Sequence, residues 1–413
     1  MASEFLRAGV GLAVFTAAFW AMAEERRLAS LRPLLMGLVW ATGLALVLIK
    51  VPSMVSGLEV LARGVNNLQI AANTGTQFVF GYLGGGPQPF AARAAPFIFA
   101  FQALPSFLLV SALSALLWHW GILRRLVRLV ARLFGFLFGV SGPVGISTSA
   151  CIFLGMVEAP LLIRPLIAQL SRGELFILMV DGLAVLAGSN LVFLSALLGP
   201  HLPNAFAWLM IATLVATPLA IGAARTLIPL ARSPATPLPL ETHYKSGLDA
   251  IIQGTLTGAK MAFSIAALLI VFTGLMALAD MMLAALPHHG APWTLNAILK
   301  IPFAPVAWLM GVPSPDIDTI AALLGTKISL NEVVAYSELI KVGPALSAKG
   351  MIMAAVSLCS FGNIASVAIL IGALNAMAPE RATEIVPLGF RALAAAFLVN
   401  CMAGTIIGLV WMV

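Results

Sequence analysis

The chain has 413 residues, 61% of them hydrophobic and 9% charged, with a formal net charge of +7. At a mean hydropathy of +1.03 this balance excludes a soluble domain and describes an all-α polytopic membrane protein whose core is the helix bundle itself. The basic residues fall in particular loops, so the charge reports topology and not nucleic-acid binding; Cys151, Cys359 and Cys401 all lie in apolar segments, against a disulfide framework or a thiolate metal site.

The N-terminal stretch lacks a basic start and a small-residue cleavage site and reads as a first spanning helix over 5–23, followed by a second over 34–51. In 52–92, Leu58, Val60, Leu61, Val65 and Leu68 space out an amphipathic helix at the membrane interface, broken at Gly84, Gly85, Gly86 and Pro87. A third span is predicted over 94–118. Over 122–138, Arg124, Arg125, Arg128 and Arg132 recur at near-helical spacing opposite apolar residues, the pattern of a cationic interfacial helix.

The stretch 143–171 is the pivot of the chain. Its apolar run climbs to Glu158, stops at Pro160 and resumes as far as Arg164 and Pro165. A charge at bilayer depth costs about 2.5–3.5 kcal/mol or more unless it faces protein or water. Backbone freed by proline is tolerated there only inside protein or beside a wet cavity. The pattern predicts a re-entrant hairpin with Glu158 at its tip; the plain alternative is a loop between two ordinary helices. Spans over 173–198 and 206–230 come next, then a polar linker over 231–246.

The second half predicts a span over 259–286, a short helix over 293–312, a second interrupted segment over 315–345 and spans over 350–377 and 382–413. The sum is about eight spanning helices plus two re-entrant hairpins and interfacial helices. The divisions are an N-terminal scaffold segment (1–90), a first repeat (91–230, with the hairpin 143–171) and a second repeat (247–413, with the hairpin 315–345). The basic loops fall on one side, and both termini on the other, if neither hairpin crosses.

The halves match in order. The run Leu137, Phe138, Gly139, Val140, Ser141, Gly142, Pro143 resembles Leu309, Met310, Gly311, Val312, Pro313, Ser314, Pro315. An acid follows each: Glu158 lies 15 residues after Pro143, and Glu332 lies 17 after Pro315. A small-residue-rich span with a polar break comes next, at Ala187, Gly188, Ser189, Asn190 in one half and from Ser360 to Ser366 in the other. An odd number of crossings separates the halves, so the repeat is inverted. Paired broken segments point to a transporter site near the midplane.

Several polar groups are candidates for that site. Glu332 suits sugar hydroxyls or a titrating proton site; its plain alternative is a solvated loop acid beside Lys327 and Ser329. Asn363 and Ser366 are one helical turn apart and suit a polyhydroxylated ligand, or else act as interhelical glue. Asp181, in mid-span, is a further proton-site candidate or the partner of a basic group such as Arg164. The histidines show no metal spacing, and HExxH and phosphate-loop motifs are lacking. A metalloprotease, an ATP-driven pump, a metal site and a cofactor therefore have no support, and the chain does not read as an enzyme.

These residues resemble the concentrative nucleoside transporters, a family of bacterial and animal nucleoside symporters. The similarity runs from about residue 90 onward. It includes Phe-Leu-Gly-x-x-Glu-Ala-Pro-Leu at 153–161, Gly-Glu-Leu-Phe at 173–176, Asn-Glu-x-Val-Ala-Tyr at 331–336 and Cys-x-Phe-x-Asn-x-x-Ser at 359–366. The resemblance implies a homotrimer of scaffold and mobile transport domains working as an elevator, multi-pass in a bacterial inner membrane. It implies that Glu158 and the two residues before it face the nucleobase. It also implies that Glu332, Asn363 and Ser366 hold the ribose, with Phe361 lining the pocket.

Two departures matter. Where members often carry Gln-Thr before the first acid, this chain has Met156 and Val157, so base-facing polar contacts are weakened or replaced by apolar ones. Sodium-coupled members place an Asn seven residues before that acid and a Ser near the next break; those positions look like Cys151 and Val185 here. A hard cation wants oxygen ligands, which thiol and isopropyl groups do not supply. The expectation is a proton-driven nucleoside symporter in which Glu332, Glu158 or Asp181 titrates. The alternatives are sodium coupling, another small polar metabolite on the same fold, or a non-transporting receptor.

Overall fold

Apolar runs become helices throughout the computed structural model, which describes residues 2–27, 29–89, 98–229, 244–286 and 293–412. The first two spans are α1 (Ala2–Ala21) and α2 (Arg32–Lys50), the latter with a proline in its first turn, where the missing N–H is no loss. The amphipathic stretch forms α3 (Pro52–Phe80), which ends in a short 3₁₀ turn. The expected third span is interrupted: α4 (Phe99–Gln102) and α5 (Ser106–His119) flank a turn at Pro105, which has no N–H to continue a helix. Residues 94–97 of that expectation, and most of the expected linker 231–246, lie outside the described residues.

The first repeat continues with α6 (Ile122–Phe138), the expected cationic helix, whose last turn closes at Gly139 with φ +59°. The first interrupted segment comprises α7 (Gly142–Leu154), a turn through Gly155, α8 (Glu158–Leu161) and α9 (Arg164–Ile167). The next span is broken into α10 (Arg172–Ala184) and α11 (Gly188–Leu198), and α12 (Ala205–Leu227) completes the repeat. Ser171 and Glu174 form a reciprocal capping box at the start of α10. Every residue of α10 after Arg172 is buried, the acids Glu174 and Asp181 included, so the helix is innermost.

The second repeat follows the same plan. It opens with α13 (Gly247–Ala284), which starts well before the expected 259 because Ser246 caps it, accepting from the Asp249 N–H at 3.1 Å. Then come α14 (Leu295–Leu309), α15 (Ile317–Ser329), α16 (Glu332–Val342), the broken pair α17 (Ala348–Leu358) and α18 (Ile364–Met377), and α19 (Ala382–Met412). Gly311 follows α14 at φ +76°, as Gly139 follows α6, so the two matched motifs adopt the same left-handed turn. Among the described residues, seven helical segments are long and apolar enough to cross a membrane. The expected span over 350–377 is divided between α17 and α18, helices of 11 and 14 residues.

Small residues set the closest packing. A Cβ on Gly37 would lie 2.6 Å from the Pro218 carbonyl oxygen, and one on Gly222 2.5 Å from that of Pro33, so α2 and α12 meet backbone to backbone. Gly254 and Gly258 do the same for α13 against α5. The first two helices pack on α12, α14 and α19, whereas α13 pairs with α5 and touches α14 and α16 sparingly.

Candidate substrate site

The two interrupted segments and the two broken helices converge. At the first tip Gly155 adopts φ +105°, a conformation an L-residue resists. Its ideal Cβ would meet the Glu158 carboxylate at 3.1 Å and the Ala187 side chain at 3.2 Å. The Glu158 carboxylate thus folds back over the glycine, and the tip presses on the break between α10 and α11.

The second tip is built by capping. Asn331 is the N-cap of α16, its Oδ1 accepting from the Val334 N–H at 2.9 Å, which places Glu332 at the positive end of the helix. Asn363 caps α18 in the same way, accepting from the Ser366 N–H at 2.8 Å. Its Nδ2 donates to Glu332 Oε2 at 2.9 Å and to the Phe361 carbonyl at 3.1 Å. Glu332, Asn363 and Ser366 are all buried, 6%, 1% and 6% exposed, so Glu332 is not the solvated loop acid of the plain reading. The breaks are also tied to each other: the Phe361 N–H donates to the Val185 carbonyl at 3.3 Å.

One cavity of about 310 Å³ gathers these groups. Its walls include Met156, Val157 and Glu158 from the first tip, Asn331 and Glu332 from the second, and Phe361, Asn363 and Ser366 from the second break. All seven residues expected to face substrate therefore line one space. Sequence reasoning missed the third wall, where α13 contributes Lys260, Ser264, Leu268 and Phe272, and it gave Asn190, also in the lining, no role. Only the placement of Lys260 and Ser264 within an apolar run hinted at a wet helix face.

Three expected residues stand outside the cavity lining. Cys151 and Val185 are buried. Cys151 is in the last turn of α7, and Val185 is the C-cap residue of α10, its N–H bonded to the Asp181 carbonyl. Asp181 is 1% exposed, and neither carboxylate oxygen has a hydrogen-bond partner among the described residues. Its suggested pairing with Arg164 does not form: Arg164 is exposed, in the outer α9 turn.

A buried cation sits behind the site. Lys327, fully buried in α15, donates from Nζ to the Ser357 carbonyl at 3.2 Å and to Ser360 Oγ at 2.5 Å. It thus holds the last turn of α17 and the first residues of the break that carries Phe361 and Asn363.

Comparison with known proteins gives concordant likenesses. Residues 208–408 match the family profile described as "Na+ dependent nucleoside transporter C-terminus", residues 10–83 its N-terminal counterpart, and 100–201 a "Nucleoside recognition" gate. The chain is 32% identical to the putative nucleoside permease NupX of Escherichia coli, over 98% of both chains. It is 29% identical to the nucleoside permease NupC of Helicobacter pylori, over 97% of this chain and 96% of that one. Among solved structures it is similar to CNTnw in an inward-facing substrate-bound state, with a TM-score of 0.88 and 30% identity over 98% of both chains. A doubly substituted variant of CNTnw in an outward-facing state gives 0.89 and 30% identity, over 100% of this chain and 99% of that one.

Proposed function

Because the chain belongs to the concentrative nucleoside transporter family, we propose that it is a proton-driven symporter that brings nucleosides across a bacterial inner membrane, working as a homotrimer. The observation that carries the substrate reading is the Glu332–Asn363 hydrogen bond inside the shared cavity. A carboxylate held by an amide, with Ser366 one turn on, offers acceptors and donors side by side, which is what vicinal ribose hydroxyls need. Met156 and Val157 form an apolar slot beside Glu158. That slot also favours a second reading, a different small polar metabolite on the same fold.

The coupling reading rests on the first repeat. Cys151 offers sulfur and Val185 no side-chain oxygen, and the Val185 carbonyl already accepts from Phe361. A sodium ion prefers several oxygen ligands, so this site supports sodium poorly. Asp181 supplies the alternative. A buried carboxyl without a partner is costly when charged and is relieved by taking up a proton. It lies on the same inner helix as the break but outside the lining, so a proton there leaves the substrate space free.

The test is uptake of radiolabelled uridine and adenosine into proteoliposomes under a proton or a sodium gradient imposed separately. Accumulation driven by the proton gradient alone is expected. Accumulation driven by sodium alone overturns the coupling reading. In the same assay Asp181→Asn is expected to keep nucleoside exchange at equal pH while losing proton-driven accumulation, whereas Glu332→Gln loses both.

A further inference from the structure

The first-repeat wall of the cavity carries two polar side chains, Glu158 and Asn190; the tip residues before Glu158 are Met156 and Val157, neither able to form a conventional hydrogen bond to a heterocycle. Asn190 stands in the first turn of α11, three residues past the N-cap Ala187. That is the position Ser366 holds in α18, three residues past the N-cap Asn363. The two sites differ in one respect. Asn363 caps its helix and binds Glu332, whereas Ala187 has no side chain able to cap.

Asn190 is 4% exposed, and its Oδ1 is sealed from solvent with no hydrogen-bond partner among the described residues. Buried amides in native proteins are paired, because an unpaired one costs about 1–3 kcal/mol. The turn that carries Asn190 is pinned against the first hairpin. A Cβ on Gly188 would lie 3.4 Å from the Phe153 carbonyl oxygen, and Ala187 packs on Gly155. An idle amide is therefore fixed on the cavity wall, on the hairpin side that lacks polar atoms at 156 and 157.

We propose that Asn190 reads the nucleobase: the one amide end that reaches the cavity pairs with the 4-substituent of the heterocycle, by the hydrogen-bond complementarity with which carboxamides read base edges in nucleic-acid recognition. This assignment rests on the nucleoside reading of the cavity. Rotation of the amide by half a turn exchanges donor and acceptor. Asn190 therefore accepts the 4-oxo edge of uracil and the 4-amino edge of cytosine alike, and base preference is broad within pyrimidines.

The experiment measures binding of uridine, cytidine and pyrimidin-2-one ribonucleoside, which lacks the 4-substituent, to the purified full chain. Wild type, Asn190→Val and Asn190→Asp are compared, with size-exclusion profiles to verify folding. Wild type is expected to bind uridine about 10-fold more tightly than the 4-unsubstituted analogue, the worth of one hydrogen bond. Asn190→Val removes that preference while still binding the analogue as wild type does. Asn190→Asp favours cytidine over uridine once the pH is high enough to ionise the carboxyl, which then only accepts, and loses that bias when the carboxyl is protonated. A preference unchanged in Asn190→Val, or a loss of uridine and analogue binding by the same factor, overturns the assignment and leaves the nucleoside reading standing. Folded wild-type protein that binds none of the three overturns both.

Discussion

Lys327 is the residue whose surroundings differ most from what its sequence neighbours suggest. Beside Glu332 and Ser329 it reads as the mark of a wet loop, yet it is fully buried. Its acceptors, Ser357 and Ser360, stand 30 and 33 residues away and belong to another broken span. Such long-range pairing leaves no trace in local periodicity. Replacing the cation with a hydrophobe of similar length removes a desolvation cost as well as two hydrogen bonds, so global stability should change little. Lys327→Met is therefore expected to leave the melting temperature within a few degrees of wild type while weakening nucleoside binding about 10-fold. The cause is release of the segment that carries Phe361 and Asn363. Titration calorimetry on the purified variant checks this, and wild-type affinity would remove Lys327 from the support of the site. The same reasoning explains which site residues were legible. Glu158, Glu332, Asn363 and Ser366 interrupt apolar runs and so announce themselves, whereas Asn190 looks like one more polar residue in a break until its lack of partners is seen.

At the scale of elements, the hairpin tips were readable because proline, glycine and charge break an otherwise continuous hydrophobic pattern. The turn at Gly155 and the turn at Gly139 make a matched test. Both have positive φ, +105° and +59°, but a Cβ at Gly155 meets Glu158 and Ala187, while nothing lies within 4 Å of one at Gly139. Each change to alanine costs about 1–2 kcal/mol of backbone strain. Gly155→Ala alone also displaces the Glu158 carboxylate and the adjoining break. The expected result is uptake nearly abolished in Gly155→Ala and largely retained in Gly139→Ala, with similar falls in melting temperature. Equal uptake in the two variants would show that the tip tolerates movement. Helix ends were less legible than breaks. The polar first turns of α13, with Asp249 and Gln253, precede the apolar run that marks the span but are helical because Ser246 caps them.

For the whole molecule, the inverted repeat was visible in the order of motifs, and the matching left-handed turns at Gly139 and Gly311 give it a structural basis. The packing partners of the first two helices were not visible, since any apolar helix suits any bundle. They sit with α12, α14 and α19, and the loop between them is clamped: Glu24 Oε1 accepts from Arg172 Nη2 at 2.7 Å and from Arg391 Nη1 at 2.9 Å. The hydrogen bond from Arg172, followed by the charges of Arg172 and Arg391, holds the Glu24 carboxyl below its ordinary value of 4.5. A depressed acid stabilises the fold above its unfolded value, and that contribution is lost as pH falls through the folded one. The cluster is partly exposed and screened, so it is worth at most about 1 kcal/mol. Glu24→Gln should melt slightly below wild type at pH 7, and the difference should close as pH drops beneath the carboxylate range or as salt is raised. A gap that persists in acid would mean the clamp acts through packing and not charge.

The third wall of the cavity has one more consequence. Lys260 and Ser264 belong to α13, which is packed along its length on α5 and only sparingly on α16 of the second hairpin. A pocket whose walls come from helices that touch so little is whole only while those helices keep their register. Sliding one past the other by a single helical turn, about 5.4 Å, would exchange this wall for a different set of side chains. Affinity in such a pocket works as a ruler of displacement, and the grip loosens with distance travelled although no atom of either tip has changed its chemistry.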